Sequence, residues 1–85
     1  MMMKMSNHDI IKQEDVNEFW VSTVAFPLPE IGLGSFETMV FGRDETGKVD
    51  YNDRYCDRYD TRDEALAGHE RVCAALRAGT LLLYS

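Results

Sequence analysis

The chain has 85 residues and a formal charge of −6 at pH 7, which predicts one small domain with a thin core. This charge argues against binding to a nucleic-acid backbone, and it favours a basic protein partner or simple solubility. Two cysteines are too few for a secreted disulfide scaffold. No apolar run suits a signal peptide or a membrane span. We therefore expect a cytoplasmic protein with free thiols and no membrane contact.

The N-terminal part of the chain divides at about residue 18. Residues 1–17 are polar, with sparse apolar positions, so we expect a mobile N-terminal tail there and a single α+β domain over residues 18–85. The first predicted strand, Glu18–Phe26, carries large apolar groups on both faces. The Pro27–Gly34 segment after it is predicted to be a loop. Its exposed apolar residues are Leu28, Ile31 and Leu33.

Two further strands follow as a predicted hairpin. Ser35–Gly42 alternates apolar and polar residues. The loop after it contains Gly47, which suits a left-handed turn position. Val49–Tyr59 is the third predicted strand, and its alternation places Tyr51, Tyr55 and Tyr59 on one face.

A helix start signal comes next. Thr61 and Glu64 have the spacing of a capping box, and Gly79 is a typical helix end. An apolar stripe at helical spacing predicts the face that packs on the sheet. Its members are Ala65, His69, Val72 and Leu76, widened by Leu66 and Cys73. The fold class is therefore α+β, with an antiparallel sheet of three strands and one helix across one face, in the order β-β-β-α. Thr80–Tyr84 either adds a fourth strand after the helix or docks loosely.

His69 lies in the apolar stripe of the predicted helix. A core histidine whose ring nitrogen bonds to a neighbouring strand or side chain is the leading interpretation. The alternative is a general base or pH-sensitive contact, with Glu37 as its carboxylate partner. Zinc held by His69, Cys73 and Cys56 is a further alternative, but no close cysteine pair supports it, and we expect no metal or cofactor.

Seven carboxylates crowd the hairpin, the third strand and the helix start. They form either a solvated face, interrupted by arginines, or an array that imitates phosphates and occupies a nucleic-acid-binding groove of another protein. Gly68, beside the apolar stripe, predicts a close approach of the helix to the sheet. The candidate partner-binding carboxylates are Asp44, Glu45, Asp50, Asp53 and Asp57, and the loop residues Leu28, Ile31 and Leu33 are the apolar candidates.

Three segments together resemble a recurrent family of small proteins encoded by bacteriophages and prophages. They are Trp20–Val24, Phe36–Phe41 with the sequence Phe-Glu-Thr-Met-Val-Phe, and Asp57–Glu70 with Ala-Gly-His-Glu at its end. Family members usually carry Leu-Asp-His and a glycine-rich loop after the first strand, where this chain has Ala25–Pro29. The resemblance implies a phage-associated origin and no particular reaction.

From these features we expect a non-enzymatic protein that binds and modulates a host protein with a basic surface, without contacting nucleic acid directly. Inhibition of a nucleic-acid-handling defence complex, as an anti-CRISPR protein does, is the sharpest form of this hypothesis. The alternative is an accessory or structural phage protein without inhibitory activity. The sequence leaves the oligomeric state open.

Overall fold

The computed structural model describes residues 9–25 and 36–83. Four strands precede one helix, so the predicted α+β class is confirmed. The elements are β1 (Asp9–Val16), β2 (Phe19–Ala25), β3 (Phe36–Arg43), β4 (Val49–Tyr59) and α1 (Arg62–Ala78). The strands form one antiparallel sheet in the order β1-β2-β3-β4, and α1 packs across one face of it. Within the described residues, no helix has both the length and the hydropathy needed to span a membrane.

The fourth strand comes from the N-terminal side of the domain. We expected residues 1–17 to be a mobile tail, but β1 pairs with β2 along its length, while residues 1–8 lie outside the described residues. Asn17 takes a left-handed φ of 56° between Val16 and Phe19, a conformation that asparagine tolerates well, and it closes a short hairpin. Residues 80–83 form no strand. Leu81 and Leu83 instead pack against the core.

The core lies between α1 and the face of the sheet that we call the helix face. Val21 and Val40 are cross-strand neighbours at its centre, and both are fully buried. Val72, Cys73 and Leu76 of α1 pack on them. The alternation predicted for Ser35–Gly42 therefore has the expected result, because β3 sends every second side chain into this core.

The alternation predicted for the third strand holds only for part of β4. Val40 pairs with Tyr55 and Phe41 with Asp53, so Arg54 is an extra residue that forms a bulge. A bulge of one residue moves the following side chains to the other face. Tyr51 accordingly contacts the rings on the opposite face of the sheet, whereas we had predicted that it shares a face with Tyr55 and Tyr59.

Both predicted helix ends are confirmed. The Thr61 hydroxyl accepts the Glu64 backbone N–H at 3.1 Å, and the Glu64 carboxylate accepts the Thr61 N–H at 3.2 Å. Gly79 ends α1 in a left-handed conformation with φ 72°. The predicted apolar stripe is buried apart from Leu66, which is 36% exposed, and Gly68 is buried in addition.

Gly68 is the point where α1 comes closest to β4. The Tyr59 ring lies directly under the Gly68 backbone, and a side-chain carbon at residue 68 would overlap both the ring and its hydroxyl. Burial raises the pKa of Tyr59 to about 12, an effect that the Thr38 side chain partly offsets. The Tyr59 hydroxyl has no hydrogen-bond partner of good geometry among the described residues. The predicted close approach of helix and sheet is therefore present, and an aromatic side chain fills it.

Removal of the Thr61 hydroxyl tests the capping box. Thr61→Ala is expected to lower the free energy of unfolding by about 1 kcal/mol, because the Glu64 amide loses its acceptor. The measurement is the urea midpoint of the variant against the wild type. Thr80→Ala is the control, since among the described residues the Thr80 hydroxyl makes one long hydrogen bond, to the Ala75 carbonyl at 3.4 Å. Equal midpoints for Thr61→Ala and the wild type would contradict the cap.

A substitution at Gly68 separates helix propensity from packing. Propensity alone predicts that Gly68→Ala stabilises α1 by about 1 kcal/mol. We expect destabilisation by about 1–3 kcal/mol instead, because the methyl group meets a buried ring. Thermal unfolding measures the sign. Ala67→Gly, at the exposed neighbouring position, measures the effect of helix propensity without a change in packing. A Gly68→Ala variant that is more stable than the wild type would show that the Tyr59 ring can move aside at little cost.

Candidate functional site

A chain of hydrogen bonds runs from the centre of the sheet to its β1 edge. The hydroxyls of Thr38 and Thr23 lie 2.6 Å apart on neighbouring strands. The Thr23 hydroxyl lies 2.7 Å from Nδ1 of His69, and Nε2 of His69 lies 3.0 Å from a carboxylate oxygen of Glu14. His69, Thr23 and Thr38 are each 0% exposed. We call these four residues the threonine–histidine chain.

When the His69 imidazole is neutral, each buried polar side-chain atom of the threonine–histidine chain has a hydrogen-bond partner. Nε2–H of His69 then donates to the Glu14 carboxylate, Thr23 donates to Nδ1, and Thr38 donates to Thr23. Because a hydroxyl both donates and accepts, the two threonines can also reverse and accept from Nδ1–H. The prediction that His69 is a core residue bonded to neighbouring side chains is confirmed.

Glu14 is the carboxylate partner of His69, and Glu37 is not. Glu37 projects to the opposite face of the sheet, because it lies one residue before Thr38 on β3. The bond from His69 is the largest cause that lowers the pKa of Glu14, and burial opposes it. Arg77 donates to the second Glu14 oxygen at 3.3 Å, and the Lys12 ammonium lies 3.7 Å from the first.

Glu37 belongs to a separate cluster on the face opposite α1. Nε of Arg58 donates to Glu37 at 2.9 Å, and the Cys56 thiol donates to the same oxygen at 3.0 Å. The Glu37 side chain is only 5% exposed. Burial, reinforced by this carboxylate, raises the pKa of Cys56 to about 12. Because Cys56 lies on the opposite face of the sheet from His69 and Cys73, it cannot join them in a zinc site, which corrects the ligand set that the sequence suggested.

Three aromatic rings meet on this same face of the sheet. Trp20 of β2 and Phe41 of β3 are cross-strand neighbours with ring centroids 5.7 Å apart. Tyr51 contacts both edge-on, at 6.3 Å and 5.4 Å. Phe41 is buried beneath its neighbours, while Tyr51 is 70% exposed. We call these three residues the aromatic patch.

The structure places the five candidate carboxylates in different settings. Asp44 accepts the Thr46 N–H, the Thr46 hydroxyl and the Lys48 N–H at 2.6–3.1 Å, which lowers its pKa and makes it part of the turn. Glu45 and Asp50 are exposed in the same hairpin. Asp53 pairs with Phe41, and Asp57 lies on the helix face opposite Thr38. The five carboxylates therefore do not form one array on a single face, and Leu28, Ile31 and Leu33 lie outside the described residues.

Two features of the site were missed in the sequence. Glu14 lies in the segment that we expect to be a mobile tail, and its polar neighbours show no apolar alternation, so only the turn former Asn17 hints at a strand end there. The aromatic patch was missed because Tyr51 reaches its place only through the bulge in β4, and bulges have no reliable signature in one sequence.

Comparisons of the chain with protein-family models, with curated proteins and with solved structures find no match. The site must therefore be interpreted from its own geometry.

The bond between His69 and Glu14 makes a prediction about pH. A lowered pKa in the folded state means that Glu14 stabilises the fold above its ordinary pKa of 4.5, and that this stabilisation is lost as the pH falls through the folded value. Glu14→Gln should therefore unfold at a lower temperature than the wild type near pH 7, and the gap should narrow below pH 4.5. Glu45→Gln, on the exposed hairpin, is the control. A gap that stays constant over this range would contradict the pairing.

Proposed function

We propose that this protein is a small non-enzymatic binding protein of bacteriophage type, which modulates a host protein through the aromatic patch and the adjoining acidic hairpin. The patch is the observation that carries the proposal. On the sheet face opposite α1, the exposed Tyr51 ring packs edge-on against Trp20 and Phe41, so three aromatic side chains lie together there. Tyrosine and tryptophan are also the residues that most often anchor protein interfaces.

The charge next to the patch favours a basic partner. Glu45 and Asp50 lie in the hairpin that leads into Tyr51, and both are exposed. The whole chain carries a charge of −6. An aromatic anchor next to an acidic hairpin complements a protein surface that carries exposed lysines or arginines, and such charges speed association at low salt.

The sharpest form of the proposal is inhibition of a nucleic-acid-handling defence complex, as by an anti-CRISPR protein. The functional surfaces of these complexes are basic grooves, and an acidic protein competes with nucleic acid for them. The phage resemblance of the Phe36–Phe41 and Asp57–Glu70 segments supports this form. The second candidate, an accessory or structural phage protein, uses the same patch for assembly without inhibition.

The geometry of the threonine–histidine chain supports a non-enzymatic role. Its hydroxyl, imidazole and carboxylate have the order of a catalytic triad, with separations of 2.7 Å and 3.0 Å. A nucleophile must reach its substrate, however, and Thr23 and His69 are both 0% exposed. The arrangement is therefore better suited to holding α1 on the sheet than to attacking a bond.

Capture from lysates of bacteria with active CRISPR systems tests the proposal, with nucleic acid as a competitor. We expect Tyr51→Ala to lose the captured protein through the loss of its anchor, and Glu45→Lys with Asp50→Lys to slow association and flatten its salt dependence. Asp44 is left intact because it holds the turn. Asp60→Lys with Asp63→Lys gives the same charge change at the helix start and should bind normally.

Plaque formation by a phage that the CRISPR system targets then separates the two candidates. Expression of the wild-type protein should restore plaques, and Tyr51→Ala should not. Captured protein that is retained equally by Tyr51→Ala and by the hairpin variant would contradict the proposed surface. Specific capture without any rescue of plaques would favour the accessory role.

A further inference from the structure

Three side chains of different chemistry converge at the β1 end of the threonine–histidine chain. A Glu14 carboxylate oxygen, a His69 ring nitrogen and the Cys73 sulfur all lie within 4.8 Å of one another. His69 and Cys73 are one turn apart on the buried face of α1, and Glu14 comes from β1, on the other side of the contact. We propose that Glu14, His69 and Cys73 bind a zinc-type divalent cation.

The donor set fits zinc better than the other common cations. Thiolate sulfur, imidazole nitrogen and carboxylate oxygen are the three protein ligands of zinc, at about 2.0–2.3 Å from the metal. Tetrahedral geometry at these bond lengths requires ligand atoms roughly 3–4 Å apart, and the three ligand atoms here lie within 4.8 Å of one another, so side-chain movement on binding must close the remaining gap. Calcium and magnesium prefer oxygen ligands alone, and a single carboxylate does not hold them. Three protein ligands leave the fourth position to water.

The threonines supply the outer contacts that such a site needs. A metal-bound imidazole usually donates its other N–H to a fixed acceptor, which orients the ring. Nδ1 of His69 faces the Thr23 hydroxyl at 2.7 Å, and Thr23 in turn faces Thr38 at 2.6 Å. Reversal of the two hydroxyls lets Nδ1–H donate to Thr23, and this frees the Nε2 lone pair for the metal. Thr23 is therefore a positioning residue for the site.

Charge and access are also compatible with a cation. Glu14 and a Cys73 thiolate together carry the two negative charges that balance a divalent ion, and binding releases the thiol proton to solvent. Lys12 and Arg77 contact Glu14, but their side chains are 44% and 57% exposed and can rotate into water. The partly exposed Glu14 carboxylate marks the entry path.

The two cysteines provide a matched test, because they lie on opposite faces of the sheet. Cobalt(II) is the probe, since a cobalt–thiolate bond gives a near-ultraviolet charge-transfer band and zinc displaces it. We expect the wild type and Cys56→Ser to bind one cobalt ion with this band, and Cys73→Ser to lose the band. Glu14→Gln and Thr23→Val should weaken binding by about 10–100-fold.

A second measurement keeps the test independent of folding defects. In nitrogen NMR of His69, zinc should move the ring proton from Nε2 to Nδ1, and zinc should raise the melting temperature of the wild type and of Cys56→Ser but not of Cys73→Ser. The proposal is overturned if the wild type shows no cobalt–thiolate band. It is equally overturned if Cys73→Ser keeps the band or if Cys56→Ser loses it.

Discussion

The hydrogen bonds of the buried His69 imidazole connect the helix to three strands of the sheet. Nδ1 bonds to Thr23 of β2, which bonds in turn to Thr38 of β3, while Nε2 bonds to Glu14 of β1. An unpaired imidazole at this depth would cost a large part of the stability of so small a domain. The position and rotation of α1 on the sheet are therefore constrained, because a shift by one residue would leave these polar atoms without partners. The apolar contacts of Val72 and Leu76 stabilise the helix without specifying its register so narrowly.

The same hydrogen bonds help to explain why β1 joins the sheet. Its sequence is polar, and by propensity alone Lys12–Asp15 is a poor strand. Pairing with β2, packing of Val16 into the core and the bonds of Glu14 to His69 and Arg77 supply what propensity lacks. The helix face is thereby filled with residues that contact one another. The aromatic patch and the Glu37 cluster lie on the opposite face of the sheet, which α1 does not cover.

The sequence predicts the local features well and the long-range pairings poorly. The capping box at Thr61, the glycine at the helix end and the burial of His69 all depend on residues a few positions apart, and the structure confirms them. The partner of His69 is 55 residues away, in a segment whose composition favours disorder. The alternation along β3 already indicates that Glu37 and Thr38 lie on opposite faces of the sheet. The face on which Tyr51 lies depends instead on a bulge in β4 that the sequence pattern does not predict. Tertiary contacts thus overrode local preference at the positions on which the candidate surfaces depend.

The placement of the two thiols on opposite faces limits the chemistry available to this domain. Burial raises the pKa of Cys73 to about 11, and the pKa of Cys56 is about 12, so neither sulfur is a reactive thiolate near neutral pH. The intervening sheet also prevents a disulfide between them. The Cys56 thiol donates to a Glu37 carboxylate that is already paired with Arg58, and a thiolate at this position would be repelled by that carboxylate. The Cys73 sulfur lies within 4.8 Å of a His69 ring nitrogen and a Glu14 carboxylate oxygen, and a cation bound by all three, as we propose, would favour the ionised thiol. The two proposals, a metal site on the helix face and a protein-binding surface on the other, therefore place the two cysteines in different roles.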